Sequence, residues 1–543
     1  MPGKSPRPRL PSALLLGLVL PDLLLRLPAA LRDGWPALLI PSLEALILVA
    51  VLAALARLWP AGRRLVPPVL AMLATFLFLF ATVDALVPLY FNRRLALATD
   101  LLYLPDLYRL LRDTAPHTAF AAGLVLLPLS LAALGYGLTR AFAELYAAVS
   151  AVRLRRGVMS YLLLIIFGAV IAAVFLPGEP LYEASSMPRL GAELGSLRAA
   201  RSQRLELRER LAALASGPPA ASRPLGLLQG RDLFLFIAES YGYTLYSEAE
   251  HFALAEPYLR RIEGRLTGAG YRIVSNFLSS PAFGGNSWLA DSSLATGVRI
   301  ADQLAYEELL ESQVRPMAAW FNEAGYRTVN SMPATTMSWP QGDFYRFQRK
   351  YYFRDFGYKG PNLKWAPMTD QFAVHVVHER EVAAADRSLF VQFVMISGHY
   401  PFNLIPRLFE DWSELGDGSV YAREGAVRRL PIPAGAATAG AQGYAAAMGH
   451  QLEVAADYAV HFLADRRALI VVVGDHQPYS GITGQGKPRS VPIHVWSRES
   501  QLLEPFLRRG YTPGLVPRQS LPHGGLESFW PAFLEDFSSP AGQ

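Results

Sequence analysis

The sequence predicts a two-part membrane protein: an N-terminal bundle of five transmembrane α-helices, then a C-terminal α/β domain with a mostly parallel sheet between helices. Three observations predict it. Five long apolar stretches all lie before residue 180. Charged residues make up only 18% of the 543, against about 25% in an ordinary soluble domain, and the mean hydropathy is +0.20. Beyond Arg231 the pattern changes to short, continuous apolar runs, as buried parallel strands require.

The expected spans are Pro11–Leu31, Ala37–Leu58, Val66–Phe91, Thr118–Leu138 and Val158–Leu176, each near the length that crosses a bilayer core. The first carries Asp22 and Arg26. Such groups face a bundle interior or a polar cavity. Lys4, Arg7 and Arg9 also suit the basic start of a signal peptide. Four further spans follow, however, and no small-residue cleavage site stands out, so the helix is expected to be retained. Arg63 and Arg64, and then Arg140, Arg153, Arg155 and Arg156, place two loops with the basic N-terminus on the cytoplasmic side. The stretch from Asn92 to His117 mixes both charge signs and predicts an amphipathic helix at the outer interface. Five crossings put the C-terminal half outside the cell.

Residues 177–230 form a connector between a membrane domain (1–176) and a globular domain (231–543). Leu190–Ala215 have helical amphipathic spacing, and SGPPAASRP at 216–224 is a Pro- and Ser-rich linker. The absence of cysteine excludes disulfides, thiol nucleophiles and Cys-ligated zinc. The net charge of +6 is spread rather than clustered, which argues against nucleic acid as a partner.

Strands are expected at 232–240, 271–278, 389–397, 468–475 and 491–497. In open α/β sheets the chemistry lies beyond the carboxyl ends of the strands. Glu239 ends the first of these runs, and Asp475 with His476 ends the fourth. Two carboxylates and an imidazole converging there suit a divalent metal, zinc or manganese; read singly, Glu239 is equally a helix cap or a surface acid. In SPAFGGNSWLADSSLATG, Ser287 follows a Gly turn at the start of a helical run. Backbone N–H groups there hold an anion, and a metal on the hydroxyl would activate it; an ordinary Ser N-cap has the same pattern. His375 and His378 read as surface residues of a helix, Trp339 and Tyr352 as packing, and His523 as a loop histidine without a role.

Taken in order, Glu239 in FIAES, Ser287 in GGNSWLAD, His399 in ISGHYPF and Asp475-His476 in VVVGDHQP resemble the sulfatase-like branch of the alkaline phosphatase superfamily. The nearest resemblance is to lipoteichoic acid synthases and related phosphoglycerol or phosphoethanolamine transferases. The resemblance implies an alkaline-phosphatase/sulfatase-like catalytic domain outside the cell, periplasmic or extracellular, on a multi-pass inner (plasma) membrane protein. It implies one divalent ion, Mn2+ or Zn2+, on Glu239, Ser287, Asp475 and His476, with Ser287 also the nucleophile where the family usually has threonine. His399 would contact the substrate phosphate or protonate the leaving oxygen. The segment 341–360 resembles the family's substrate loop, with Asp343 and Arg349 as polar contacts; the family's tryptophan falls on Gln348, and the spacing is one residue short. The implied reaction moves a phosphoglycerol or phosphoethanolamine group from a membrane phospholipid to a glycan, lipid or polymer acceptor through a phosphoserine-type intermediate. A membrane-tethered phosphodiesterase or sulfatase-type hydrolase is the alternative within the fold, although no C/S-x-P-x-R run surrounds Ser287. A non-catalytic protein that binds an envelope polymer is the alternative outside it.

Overall fold

The computed structural model describes residues 15–39, 41–114, 116–151, 187–215, 222–434, 436–518 and 524–540. The chain divides into two compact units, Met1–Leu89 with Arg93–Ser202, and Tyr90–Asn92 with Gln203–Gln543.

The first unit is helical: α1 (Leu20–Asp33), α2 (Leu43–Leu58), α3 (Val66–Phe91), α4 (Leu104–Thr114), α5 (His117–Ala151) and the start of α6 (Met187–Ala215). Among the described residues two helices, α3 and α5, are long and apolar enough to cross a membrane. At 1.5 Å per residue α3 reaches about 39 Å, more than a hydrocarbon core of about 30 Å. The expected span Ala37–Leu58 is broken: a 3-10 turn over Trp35–Leu39 precedes α2, which starts only after Ser42 caps it through the Ala45 amide. The span Val158–Leu176 lies outside the described residues. Asp22 and Arg26 of α1 pair with each other, and Asp22 Oδ1 also accepts the Ser42 amide at 2.8 Å. The expected end of the fourth span at Leu138 is not an end; α5 runs on through Arg140 and Glu144 to Ala151. In α4, Leu104, Leu107, Tyr108 and Leu111 are exposed at one-face spacing, as an interfacial helix requires. Helix α6 ends at Ala215 as expected, but its apolar residues do not gather in one stripe.

The second unit is built on an eight-stranded sheet: β1 (Asp232–Ala238), β2 (Arg272–Ser279), β3 (Arg327–Met332), β4 (Arg349–Tyr352), β5 (Leu389–Val394), β6 (Ala468–Gly474), β7 (Ser490–Ser497) and β8 (Thr512–Pro513). Its spatial order is β8-β2-β7-β6-β1-β5-β3-β4. From β6 to β4 all neighbours are parallel, whereas β7 runs antiparallel to both β2 and β6. All five expected strands are present; VPIHVWS is the one that runs against the others.

Successive β1 side chains feed opposite faces, because strand side chains alternate. Phe234, Phe236 and Ala238 enter one core with α7 (Ala249–Gly268), α9 (Asp370–Val377) and α10 (Gly440–Phe462). Leu233, Leu235 and Ile237 enter the other with α8 (Ser287–Thr296) and α11 (Phe529–Phe537). Both faces are covered, which explains why β1, β6 and β7 are apolar and buried at nearly every position.

Candidate active site

The site begins with a register. β1 and β6 are parallel neighbours with Ala238 opposite Gly474, so the next residues, Glu239 and Asp475, leave the sheet side by side at its carboxyl edge. Close backbone approach is a condition of this. A Cβ on Gly474 would lie 1.8 Å from the Tyr241 carbonyl oxygen, and one on Gly398 would lie 2.2 Å from that of Glu239. Helix α10 fixes the strand end. Gln451 accepts the Glu239 amide and donates to the Glu239 carbonyl, both at 3.0 Å, and the Tyr444 hydroxyl donates to the Ser240 carbonyl at 2.9 Å.

Ser287 arrives from the other face. β2 ends at Ser279, and the chain turns through Gly284, Gly285 and Asn286, all with positive φ, before α8 starts at Ser287 itself. Asparagine is among the few side-chain-bearing residues that enter this left-handed region readily. The turn places Ser287 Oγ 3.2 Å from Glu239 Oε2 and 3.2 Å from His476 Nε2. His476 Nε2 is in turn 3.5 Å from Glu239 Oε1 and 3.4 Å from Asp475 Oδ2. Two ligands on a tetrahedral ion with bonds of about 2.0–2.1 Å are separated by about 3.3 Å. The four separations above fit a cage around one divalent cation. Glu239, Asp475 and His476 are all buried, with ligand atoms within 4.8 Å of one another, and could together hold a metal ion.

The electrostatics fit the same use. Burial pushes Asp475 up to about 7, and the Glu239 charge adds to it against His476 and the Ser240 amide. Burial also opposes ionisation of Glu239, but His399, His476 and the hydroxyls of Ser240 and Ser287 outweigh it and hold its carboxyl below the usual range. His476 is raised by Asp475 and Glu239 against its own burial. Two carboxylates this close call for positive charge between them. His476 Nδ1 lies 2.8 Å from the Gln477 carbonyl, which can only accept. That bond puts a proton on Nδ1 and turns Nε2 to the site, the arrangement in which histidine ligates metals.

His399 follows β5 on a loop held by Asp370, whose carboxylate accepts the Ile396 amide at 2.7 Å and the Ser397 amide at 3.0 Å. Its Nε2 lies 4.0 Å from Glu239 Oε1, and its ring stacks on Trp365 with centroids 5.6 Å apart. Five of the sequence-derived residues thus meet: Glu239, Ser287, His399, Asp475 and His476.

Asp343 and Arg349 do not join them. Asp343 is exposed and pairs with Lys350. Arg349 opens β4, where the registers align it through Val329 and Val391 with Phe234, five residues short of Glu239. At about 3.3 Å per residue this is roughly 16 Å below the carboxyl edge, and the guanidinium lies over the Tyr351 ring. Gln348 accepts a bond from Arg387 at 3.0 Å. His378 corrects the surface reading: it is buried, with Nδ1 3.2 Å from the Tyr458 hydroxyl. Trp339 packs as expected, stacked on Tyr345 and edge-on to Tyr352. His523 lies outside the described residues.

The sequence reasoning missed Gln451, Asp370, Trp365 and Asp291. Asp291 is one helical turn beyond Ser287, a spacing that was available to find it. Burial, with Asp475 and Glu239 near, pushes its carboxyl well up.

No protein-family model and no curated protein matches the chain. Solved structures similar to it are phosphoethanolamine and phosphoglycerol transferases, a lipoteichoic acid synthase and a member of the alkaline phosphatase superfamily. The integral membrane lipooligosaccharide phosphoethanolamine transferase A of Neisseria meningitidis is 12% identical, with 87% of this chain and 84% of that one covered and a TM-score of 0.44. The C-terminal periplasmic domain of EptC from Escherichia coli, in complex with zinc, is 16% identical over 60% of this chain and 87% of that one, with a TM-score of 0.39. Lipoteichoic acid synthase LtaP of Listeria monocytogenes is 13% identical over 59% and 75%, with a TM-score of 0.35.

Proposed function

We propose that this protein is a membrane-bound, metal-dependent transferase that moves phosphoglycerol or phosphoethanolamine from a phospholipid to a glycan, lipid or polymer acceptor outside the cytoplasm. The observation that supports it most is the position of Ser287 Oγ, 3.2 Å from both a buried carboxylate and a histidine ring nitrogen at the carboxyl edge of the sheet. An N-cap serine would instead bond its own helix amides, whereas here Asn286 occupies the cap position and Ser287 is the first residue of α8.

Glu239, Asp475, His476 and Ser287 would hold one divalent ion, Mn2+ or Zn2+, which would lower the hydroxyl pKa and neutralise phosphoryl charge. Ser287 Oγ then forms a bond to the lipid phosphorus as the bond from phosphorus to the diacylglycerol oxygen breaks. The Ser287 proton passes to the carboxylate side of the site, where Glu239 accepts its hydrogen bond. His399 Nε2 gives a proton to the departing oxygen. In the second half an acceptor hydroxyl attacks the phosphoserine and gives its proton to His399, the bond from phosphorus to Ser287 Oγ breaks, and Ser287 takes back the proton it gave up. Catalysis is chiefly positioning and charge neutralisation.

Intact-mass measurement tests this. The detergent-purified protein is incubated with phosphatidylglycerol or phosphatidylethanolamine vesicles and Mn2+ or Zn2+, without acceptor. A gain equal to phosphoglycerol or phosphoethanolamine, with diacylglycerol released and both lost in Ser287→Ala, is the expected result. Diacylglycerol without adduct at any time point, at a rate no acceptor increases, would make the protein a hydrolase.

A further inference from the structure

His399 is held unlike the other site residues. Its neighbours Glu239 and His476 each have a second hydrogen bond that fixes them, whereas His399 Nδ1 is buried and meets no partner among the described residues. The ring is nonetheless confined on one side by the parallel face of Trp365, 13° from its plane. Behind it lies a small cavity lined by Leu363, Ser397, His399, Pro401, Phe402 and Asn403, among others, with about 10 Å³ of free volume. That is the space of a single water molecule. Asn403 on its wall is 96% buried, and its Oδ1 also meets no partner among the described residues. A donor-capable ring nitrogen and an amide oxygen, both desolvated and unpaired, belong to two residues that line one water-sized cavity, and leaving such groups unpaired is costly. One bridging water satisfies both.

We infer that Asn403 positions His399 through a water in this cavity. The amide oxygen can only accept, so the water donates to Asn403 and accepts from Nδ1–H. Nδ1 thereby keeps its own proton, and the second proton of the imidazolium sits on Nε2, which faces Glu239 and gives it to the departing oxygen. Trp365 limits tilt of the ring, and the Asn403 bridge limits its rotation. Asn403 touches neither lipid nor metal in this arrangement; it is a positioning residue. The inference rests on His399 acting as the proton donor in the proposed reaction.

Leaving-group dependence tests it in the full-length protein. A diacylglycerol oxygen needs a proton to depart, and a p-nitrophenolate does not. Turnover is measured on phosphatidylglycerol and phosphatidylethanolamine vesicles and on the p-nitrophenyl esters of phosphoglycerol and phosphoethanolamine. His399→Ala is expected to slow lipid turnover about 100-fold and the nitrophenyl esters by no more than about threefold. Asn403→Leu, similar in shape without the acceptor, is expected to slow lipid turnover about tenfold through kcat, with the nitrophenyl esters again changed by less than about threefold. Asn403→Asp keeps the acceptor and should return to within about threefold of the parent on lipid. A fold damaged by Asn403→Leu would depress both substrates alike, and that result, or unchanged lipid turnover, overturns the inference. So does failure of Asn403→Asp to recover in a protein with an unaltered thermal transition. If His399→Ala itself slows both substrates equally, His399 is not the donor, and the inference falls with that assignment rather than with Asn403. Loss of the Ser287 adduct test would instead remove the transferase reading as a whole.

Discussion

Glu239, Ser287, Asp475 and His476 are linked by separations of 3.2–3.5 Å only because their backbones are held, so single-residue changes separate chemistry from scaffold. Glu239→Gln keeps shape and removes a charge from the cage. It is expected to reduce Zn2+ or Mn2+ retained after dialysis at least about tenfold, read by elemental analysis; full retention would remove Glu239 from the ligand set. Gly474→Ala tests the scaffold. The added Cβ would meet the Tyr241 carbonyl oxygen at 1.8 Å, an overlap that backbone must relieve at a cost of about 1–3 kcal/mol or more. A lower Tm together with lower metal retention is expected, and a wild-type Tm would show that the β1–β6 edge yields freely. At this scale Glu239, Asp475 and His476 were legible as types at strand ends and Ser287 by the Gly turn before a helical run, whereas His399 came only from the family resemblance. Asn403 and Trp365 were not, because an asparagine and a tryptophan in loops have no distinguishing pattern until a cavity and a ring face give them one.

At the scale of elements, one helix sets the position of the first carboxylate. Gln451 of α10 makes two hydrogen bonds to the backbone of Glu239. Gln451→Leu removes both partners from buried groups and should cost about 1–3 kcal/mol, seen as a lower denaturant midpoint, with turnover falling as well. Unchanged turnover in a destabilised protein would show that α10 supports the fold but not the site. The turn into α8 has a similar test. Asn286 sits at φ 62°, and Asn286→Val should destabilise by about 1–2 kcal/mol while Asn286→Gly is tolerated. The strands β1, β2, β5, β6 and β7 were legible because both their faces are largely buried and apolar runs dominate them, even where Ser275, Asn276 or His494 interrupts the run. β3, RTVNSM, was hidden by polar residues that are nonetheless buried, such as Thr328, Asn330 and Ser331. β4, RKYY, is an edge strand of four residues whose charge gave no strand signal.

For the whole molecule, the buried histidines set a limit on acid tolerance. Burial lowers His378 and His450 to about 4 and His494 to about 3. The unfolded chain takes up protons at about 6.5. Depressed folded values therefore add stability that is present above pH 6.5 and is lost as pH falls toward 4. The urea midpoint of the globular transition is expected to fall between pH 7 and pH 5; an equal midpoint at both would contradict it. The apolar α3 and α5 lead to a second expectation, that the chain stays in the membrane fraction through an alkaline carbonate wash and needs detergent for release. Recovery in the wash supernatant would rule out a spanning chain.

The sequence by itself determined the division into an apolar helical half and an α/β half, the strands buried on both faces, and the residue types at two strand ends. These follow from local composition and periodicity, which act over a few residues. Only the tertiary structure decided which distant residues meet. Glu239, Ser287, His399 and Asp475 are separated by dozens to hundreds of positions, and their meeting depends on the β1–β6 register, the left-handed turn before α8 and the grip of α10. The same register removed Arg349 from the site, because a parallel strand's first residue lies at the amino end of the sheet, whatever its chemistry. Helix α10 buried His378 through Tyr458 and Phe462, where helical spacing alone had left it at the surface, since spacing identifies a face but not what packs against it.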